Sequence, residues 1–214
     1  MLNRRITLFC GHYGSGKTNL AVNAAFALKA QGFDVAIADL DIVNPYFRTK
    51  DSEAQLRAAG IEVISLPFAN SSVDLPALPS EAYSLVQNRQ RRAVLDIGGD
   101  DRGAYALGRY VPAILEENDF DMLYVVNFYR PLTQTAEDAL TVLREIEAAC
   151  GLTFTGIVNN SNLGEETTLA DVTATASEAE ALAGLAGLPV VFTAARAEIA
   201  APGMLPLTLQ KKYY

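Results

Sequence analysis

Short apolar runs rich in β-branched residues alternate with longer stretches of helical periodicity along the whole sequence. Such runs are typical of strands that are buried on both faces, and their alternation with helices predicts a parallel α/β sheet. We therefore predict a single doubly wound, mostly parallel sheet of about seven strands with helices on both faces, in one domain over residues 1–214. The predicted strands are Ile6–Cys10, Val35–Asp39, Ile61–Ser65, Ala93–Ile97, Leu123–Asn127, Thr155–Asn159 and Val190–Thr193.

The helical stretches lie between these strands. In the first of them, leucine and alanine recur at helical spacing, and Gly32 follows at a position where a left-handed residue often ends a helix. The stretch Pro67 to Pro79 carries three prolines and predicts a loop within the domain. The predicted helices are Lys17–Ala30, Ser52–Ala59, Ser80–Gln90, Tyr105–Glu117, Thr133–Ala149 and about Thr175–Ala186.

Charge and composition exclude several classes of function. The formal net charge of -8 argues against direct nucleic-acid binding, which depends on a basic surface that neutralises phosphates. The two cysteines form no C-x-x-C pair, so neither a disulfide framework nor a sequence-local zinc site is indicated. No apolar run is long enough to cross a bilayer, and Lys211 and Lys212 are typical of a solvated tail. We expect a cytoplasmic protein that does not bind membranes.

The strongest motif is Gly11-His12-Tyr13-Gly14-Ser15-Gly16-Lys17-Thr18, which follows the first predicted strand and opens the first predicted helix. This is the G-x-x-x-x-G-K-[ST] pattern of a phosphate-binding loop, in the context that the motif requires. Glycine lets the backbone approach the phosphates, the lysine serves the β and γ phosphates, and the Thr18 hydroxyl is a Mg²⁺ ligand. The predicted nucleotide contacts are Gly11, Gly14, Ser15, Gly16, Lys17, Thr18 and Asn19.

Acidic residues end the second and fourth predicted strands, at the sheet edge where parallel α/β proteins bind ligands. Asp96 follows buried aliphatic residues and is expected to hold Mg²⁺ through water, and Gly99 would bring a backbone N–H to the γ-phosphate. Asp41 would orient or deprotonate the attacking water, and Asp39 would hold the water shell of the metal, although these two roles could be exchanged. We therefore assign Lys17 and Asp41 to catalysis, and Thr18, Asp39 and Asp96 to the metal.

Together, the loop, the Asp39-x-Asp41 pair and the Asp96-x-x-Gly99 sequence resemble the MinD/ParA/CobQ-like branch of the SIMIBI-class P-loop ATPases. That branch includes the iron protein of nitrogenase and the arsenite-pump ATPase, and its members commonly switch between ADP and ATP states as dimers. The resemblance implies ATP and Mg²⁺ as cofactors, an ATP-dependent homodimer and a protein partner.

The same resemblance implies where the base and the partner subunit are contacted. The branch typically recognises the base at the end of the sixth strand, which assigns Asn159 and Asn160, with Asn162 close by. No N-K-x-D sequence is present, so adenine is favoured over guanine. Many members carry a lysine at the second loop position that reaches across the dimer, but here that position is His12. Candidate replacements for that cation are Arg48 and Arg130.

Three functions fit these residues. The first is a nucleotide-gated regulatory, positioning or assembly ATPase. The second is a small-molecule kinase or ATP-dependent ligase similar to dethiobiotin synthetase, which uses the same loop. The third is a module that binds nucleotide without hydrolysing it, because hydrolysis depends on Asp41. His12 is expected to pack near the nucleotide, with a general base as its alternative role.

Overall fold

The computed structural model describes residues 2–40, 52–65, 84–86, 88–98, 107–108 and 110–209. Within them, the short apolar runs form the strands of a central sheet. The strands in these residues are β1 (Ile6–Cys10), β2 (Val35–Leu40), β3 (Glu62–Ser65), β4 (Arg92–Ile97), β5 (Phe120–Val126), β6 (Gly156–Asn159), β7 (Val190–Arg196) and β8 (Leu205–Leu207). Their order is β3-β2-β4-β1-β5-β6-β7-β8, and every neighbouring pair is parallel. The predicted fold class is confirmed, with eight strands in the described residues.

The helices connect the parallel strands. They are α1 (Lys17–Ala30), α2 (Glu53–Ala58), α3 (Val111–Glu117), α4 (Ala136–Cys150), α5 (Leu169–Ala174) and α6 (Ala176–Ala186), with 3₁₀ turns at Pro131–Thr133 and Gly164–Glu166. Both faces of the sheet are therefore covered, as parallel sheets require. None of the helices in the described ranges combines the length and apolar character of a membrane span.

Strand β1 lies between two hydrophobic layers, one on each face of the sheet. Ile6, Leu8 and Cys10 belong to the layer that includes α4, whereas Phe9 belongs to the layer that includes α1. This division follows from the two-residue period of a strand, because successive side chains point to opposite faces. Since β4 and β5 flank β1, any loop that leaves the end of β1 has neighbours on both sides.

Arg5 is buried at the end of the sheet where the parallel strands begin, away from their carboxyl ends. Arg5 precedes β1, and its Nη1 donates to the carbonyl oxygens of Leu85 at 2.9 Å and Arg91 at 3.0 Å. Its guanidinium also pairs with both carboxylate oxygens of Glu117, the last residue of α3. The two side chains are only 5% and 8% exposed, so this pair ties α3 to the sheet away from water.

Two elements were not predicted, and one predicted helix is shorter than expected. β8 has three residues with Pro206 in the middle, which is tolerated because β8 is an edge strand. Helix α5 begins with a capping box between Thr168 and Asp171, a signal that the sequence did contain. Of the helix predicted over Ser80–Gln90, residues 84–86 are helical, but residues 88–90 form a turn that leads into β4.

Candidate nucleotide-binding site

The loop between β1 and α1 depends on glycine at three positions. A Cβ atom on Gly11 would lie 2.2 Å from the carbonyl oxygen of Val125, so the end of β5 leaves no room for a side chain. Gly14 and Gly16 have φ angles of 77° and 87°, in the left-handed region that glycine occupies without strain. The motif therefore fixes a backbone path that larger residues would disturb.

Lys17 and Thr18 lie in the first turn of α1 and are only 5% and 6% exposed. The Nζ atom of Lys17 donates to the carbonyl oxygen of His12 at 3.3 Å, so its ammonium group lies inside the loop. The Ser15 hydroxyl is buried and has no hydrogen-bond partner among the described residues. The loop thus presents a cation and an unused donor where the helix N-terminus also favours an anion.

Two of the predicted metal-site acids lie side by side. Asp39 and Asp96 are register partners across β2 and β4, and Asp96 is also paired with Phe9 of β1. Asp96 is fully buried, whereas Asp39 is partly exposed. The described residues contain no cluster of three or more acidic, histidine or cysteine side chains suited to a metal. One or two carboxylates, a hydroxyl and phosphate oxygens are nevertheless the ligands that Mg²⁺ usually takes, so Asp39, Asp96 and Thr18 fit it.

Three predicted site residues lie outside the described residues. Asp41, Gly99 and Arg48 belong to residues 41–51 and 99–106. Their proposed roles therefore stay predictions. Asn19, also predicted to contact the nucleotide, lies in α1 directly after Thr18.

The two predicted base-contacting asparagines, at the end of β6 and directly after it, have different roles from one another. Asn159 is fully buried; its Nδ2 donates to Thr175 at 3.0 Å, and its Oδ1 accepts from the hydroxyl of Ser161 at 2.7 Å. Asn160 instead reaches the phosphate loop, because its Nδ2 donates to the carbonyl oxygen of Ser15 at 2.7 Å. The same atom lies 2.4 Å from the position that a Cβ on Gly16 would occupy. Asn160 therefore holds the loop directly, and Asn159 organises the turn that carries it.

Sequence reasoning missed the role of Asn127, which it took as the last residue of the fifth strand. Asn127 is fully buried and donates from Nδ2 to the carbonyl oxygen of Asn162 at 3.1 Å. Its Oδ1 accepts from the backbone N–H groups of Tyr129 at 3.0 Å and Asn162 at 3.2 Å. The only signal in the sequence was a polar residue directly after a buried apolar run. Asn127 joins the loops after β5 and β6 into one unit.

Cys10, the last residue of β1, lies directly before the loop and is fully buried. Burial raises the pKa of its thiol well above the ordinary value, and the nearby charge of Lys17 offsets this only in part. A thiol held in this way is protonated and inaccessible, so it is not a nucleophile. Its place in the site is structural.

Comparison with known proteins decides the family. Residues 6–190 match the sequence profile of the CobQ/CobB/MinD/ParA nucleotide binding domain, the CbiA family. The chain belongs to this family. The predicted resemblance is thereby confirmed, and the assignment of Gly11 to Thr18 as the phosphate-binding loop stays a prediction that this family membership supports. No curated protein matches the sequence.

Solved structures share the fold of this CbiA-family chain. FtsY from Thermotoga maritima is 19% identical with a TM-score of 0.57, over 91% of this chain and 62% of that one. Chloroplast FtsY from Physcomitrella patens is 19% identical with a TM-score of 0.60, over 89% and 58%. The 54 kDa signal recognition particle protein from Aeropyrum pernix, solved with GDP, is 16% identical with a TM-score of 0.56, over 89% and 41%. The chain thus spans about three fifths of the FtsY chains, and the likeness concerns the fold alone.

Within this CbiA-family loop, the second and third positions are turned toward its rim. The Nδ1 atom of His12 lies 3.2 Å from the carbonyl oxygen of Tyr13, and Tyr13 is 56% exposed. Lys17 donates to the backbone carbonyl of His12, whereas the His12 ring is hydrogen-bonded to the neighbouring Tyr13 carbonyl. The histidine ring is therefore a rim group of the loop.

Proposed function

We propose that this chain is a cytoplasmic ATPase that binds ATP with Mg²⁺ and controls a protein partner through its nucleotide state. The observation that carries the proposal is that four groups lie at the same end of the sheet. They are the buried Lys17 and Thr18 in the loop, and the register-paired Asp39 and Asp96 beside it. A cation, a hydroxyl and two carboxylates around a phosphate loop are the parts that Mg²⁺-dependent phosphoryl transfer uses.

We assign the binding of the phosphates, of Mg²⁺ and of the attacking water to different residues of the chain. The backbone N–H groups of the loop and the Lys17 ammonium would bind the β and γ phosphates and stabilise the charge that develops during transfer. Thr18, Asp39 and Asp96 would hold Mg²⁺, which neutralises phosphate charge when bound. We assign the orientation of the attacking water to Asp41 and a γ-phosphate contact to Gly99.

The absence of a guanine-specific sequence favours adenine, because the chain contains no N-K-x-D sequence. One N–H of the Asn160 amide is donated to the Ser15 carbonyl oxygen, and no described hydrogen bond uses its second N–H or its Oδ1. The remaining Oδ1 can accept from the 6-amino group of adenine, although an amide can serve either base. We therefore propose ATP, even though the related fold from Aeropyrum pernix was solved with GDP.

The regulatory part of the proposal is supported by exposed apolar side chains on the loops around the site. Tyr13 and Leu132 are each 56% exposed, and Leu163 is 49% exposed. They lie on the phosphate loop, on the turn after β5 and on the loop after β6, which hydrogen bonds join to one another. A change in the loop on nucleotide binding would therefore alter this surface, and exposed apolar groups are typical of interaction sites.

The test is hydrolysis by the purified protein with ATP or GTP and Mg²⁺ under single-turnover conditions. We expect ATP to be hydrolysed in preference to GTP, and Lys17→Ala, Asp96→Asn and Asp41→Ala to abolish turnover. Asp119→Asn is the matched control, because Asp119 is a half-exposed acid at the opposite edge of the sheet. A wild-type protein that hydrolyses neither nucleotide, or an active Asp96→Asn variant, would contradict the proposal. ADP release that requires one small metabolite would instead indicate a kinase or ligase.

A further inference from the structure

Strand order brings Arg130 to the phosphate loop of its own chain. β5 is paired with β1, so the turn after β5 lies beside the loop that follows β1. Arg130 ends that turn: its backbone N–H donates to the Asn127 carbonyl oxygen at 3.1 Å, and its own carbonyl accepts from Thr133 at 3.0 Å. The backbone of Arg130 is thus held on both sides. The sequence had suggested Arg130 as a cation for a partner subunit, but here it lies against its own site.

The guanidinium of Arg130 packs onto Gly14. Its Nε donates to the Gly14 carbonyl oxygen at 3.1 Å. Its Nε, Cδ and Cζ atoms lie 3.2, 3.6 and 3.6 Å from the position that a Cβ on Gly14 would occupy. Glycine at this position therefore serves two purposes, since it adopts a φ of 77° and leaves room for the arginine.

The two outer nitrogens of this guanidinium, Nη1 and Nη2, form no hydrogen bond among the described residues. No described residue accepts a hydrogen bond from Nη1 or Nη2 of Arg130, and no described carboxylate forms an ion pair with it. Arginine is charged at all accessible pH values and its paired N–H groups match phosphate oxygens. A guanidinium whose Nη groups have no partner among the described residues, next to a phosphate-binding loop, is suited to an anionic ligand.

The contact also indicates which phosphates the arginine would serve. Lys17, the residue that serves the β and γ phosphates in such loops, is hydrogen-bonded to the carbonyl of His12. Gly14 lies in the same turn, which the Ser15 N–H closes on the His12 carbonyl at 3.2 Å. Arg130 therefore lies beside the turn whose His12 carbonyl oxygen the Lys17 ammonium contacts.

We propose that Arg130 supplies a cation to the β and γ phosphates of ATP within its own subunit and stabilises the charge that develops on the transferred phosphoryl group. This inference rests on the proposed ATPase function and adds to it a catalytic residue that acts in cis. The hydrogen bond to Gly14 orients the guanidinium, and its Nη groups bind the phosphate oxygens. Hydrolysis then depends on the charge of Arg130 and not on an arginine or lysine from a second copy.

The test compares Arg130→Ala, Arg130→Gln and Arg130→Lys with the wild type, in ATP hydrolysis and in calorimetric binding of ADP and of a non-hydrolysable ATP analogue with Mg²⁺. We expect Arg130→Ala to lower kcat on the order of 10²- to 10³-fold, as the loss of a charge-stabilising donor does. Binding of the ATP analogue should weaken about tenfold, while ADP affinity changes less than about threefold, because the missing charge serves the γ-phosphate most. Arg130→Lys should recover part of the activity, and Arg130→Gln should not. Arg4→Ala is the control, since Arg4 is 56% exposed at the opposite sheet edge.

Three results would overturn the inference. Full activity in Arg130→Gln, or equal losses of ADP and ATP-analogue affinity, would mean that Arg130 only braces the Gly14 carbonyl. Recovery of activity on mixing Arg130→Ala with Lys17→Ala protein would show that the arginine acts on the partner's nucleotide. A wild type that binds ATP without hydrolysing it would refute the hydrolase proposal alone, and the binding comparison would still decide the role of Arg130.

Discussion

The hydrogen bond from Asn160 to the Ser15 carbonyl gives the sharpest mutational prediction for the site. Asn160 is 5% exposed, and its amide lies 2.7 Å from an oxygen of the phosphate loop. Asn160→Ala removes this donor and leaves a carbonyl without a partner in a buried position. Such a loss costs about 1–3 kcal/mol. We expect the loop to avoid the cost by turning the Ser15 peptide, which misplaces the neighbouring N–H groups.

The nucleotide must then restore the loop, so the same free energy is subtracted from binding. At 1.4 kcal/mol per tenfold change, 1–3 kcal/mol corresponds to affinity that is weaker by roughly 5- to 150-fold. ADP and ATP should be affected alike, since Ser15 belongs to the part of the loop that both nucleotides use. Asn160→Asp should bind more weakly still, because a carboxylate would face the Ser15 carbonyl and the phosphates.

Titration calorimetry with ADP and a non-hydrolysable ATP analogue measures both affinities, and urea denaturation confirms that each variant is folded. Thr155→Ala is the matched control. The Thr155 hydroxyl also makes side chain to backbone hydrogen bonds, accepting from the N–H of Met122 at 3.0 Å and donating to its carbonyl oxygen at 3.2 Å, but it lies directly before β6, at the opposite end of that strand from Asn160. A folded Asn160→Ala protein that binds both nucleotides within about twofold of the wild type would refute this reasoning.

Three further predictions concern stability and reactivity. Gly11→Ala should lower the free energy of unfolding by about 1–3 kcal/mol in urea titrations, because its Cβ would lie 2.2 Å from a backbone oxygen of β5; an unchanged midpoint would refute the clash. Glu117→Gln should cost about 3–5 kcal/mol, since it leaves the buried charge of Arg5 without its partner; a loss below about 1 kcal/mol would show that water reaches the pair. Cys10 and Cys150 are both buried, with thiol pKa values raised by burial, so Ellman's reagent should label neither in the folded protein and both after denaturation; rapid labelling of the native protein would contradict this.

The conformation of the loop between β1 and α1 and the α/β class were predictable because their signals are local. Gly14 and Gly16 adopt positive φ angles, and Lys17 follows directly. The backbone conformation of the loop can therefore be predicted from one short sequence motif. The strand-end acids were also found, because an acid after a buried apolar run lies at the ligand-binding edge of a parallel sheet. The pairing of Asp39 with Asp96, however, depends on β4 lying next to β2.

The contacts that hold the loop in place were not predictable, because they depend on strand order. Arg130 and Asn160 are 116 and 145 residues away in sequence from the loop residues they contact. They come near the loop because β5 pairs with β1 and β6 pairs with β5. Asn127 looked like the end of a strand, and its function follows from a loop 35 residues away in sequence. β8 was missed since three residues around Pro206 carry almost no periodic signal.

The central claim is that the loop from Gly11 to Thr18 binds ATP through the charge of Lys17. The most direct test is calorimetric titration of a non-hydrolysable ATP analogue with Mg²⁺ into wild type and Lys17→Ala. The account predicts one site in the wild type and binding that is roughly 10- to 150-fold weaker in the variant, because the loss of one charge-assisted interaction costs about 1.5–3 kcal/mol. Absence of binding to the folded wild type, or equal affinity of the two proteins, would contradict it.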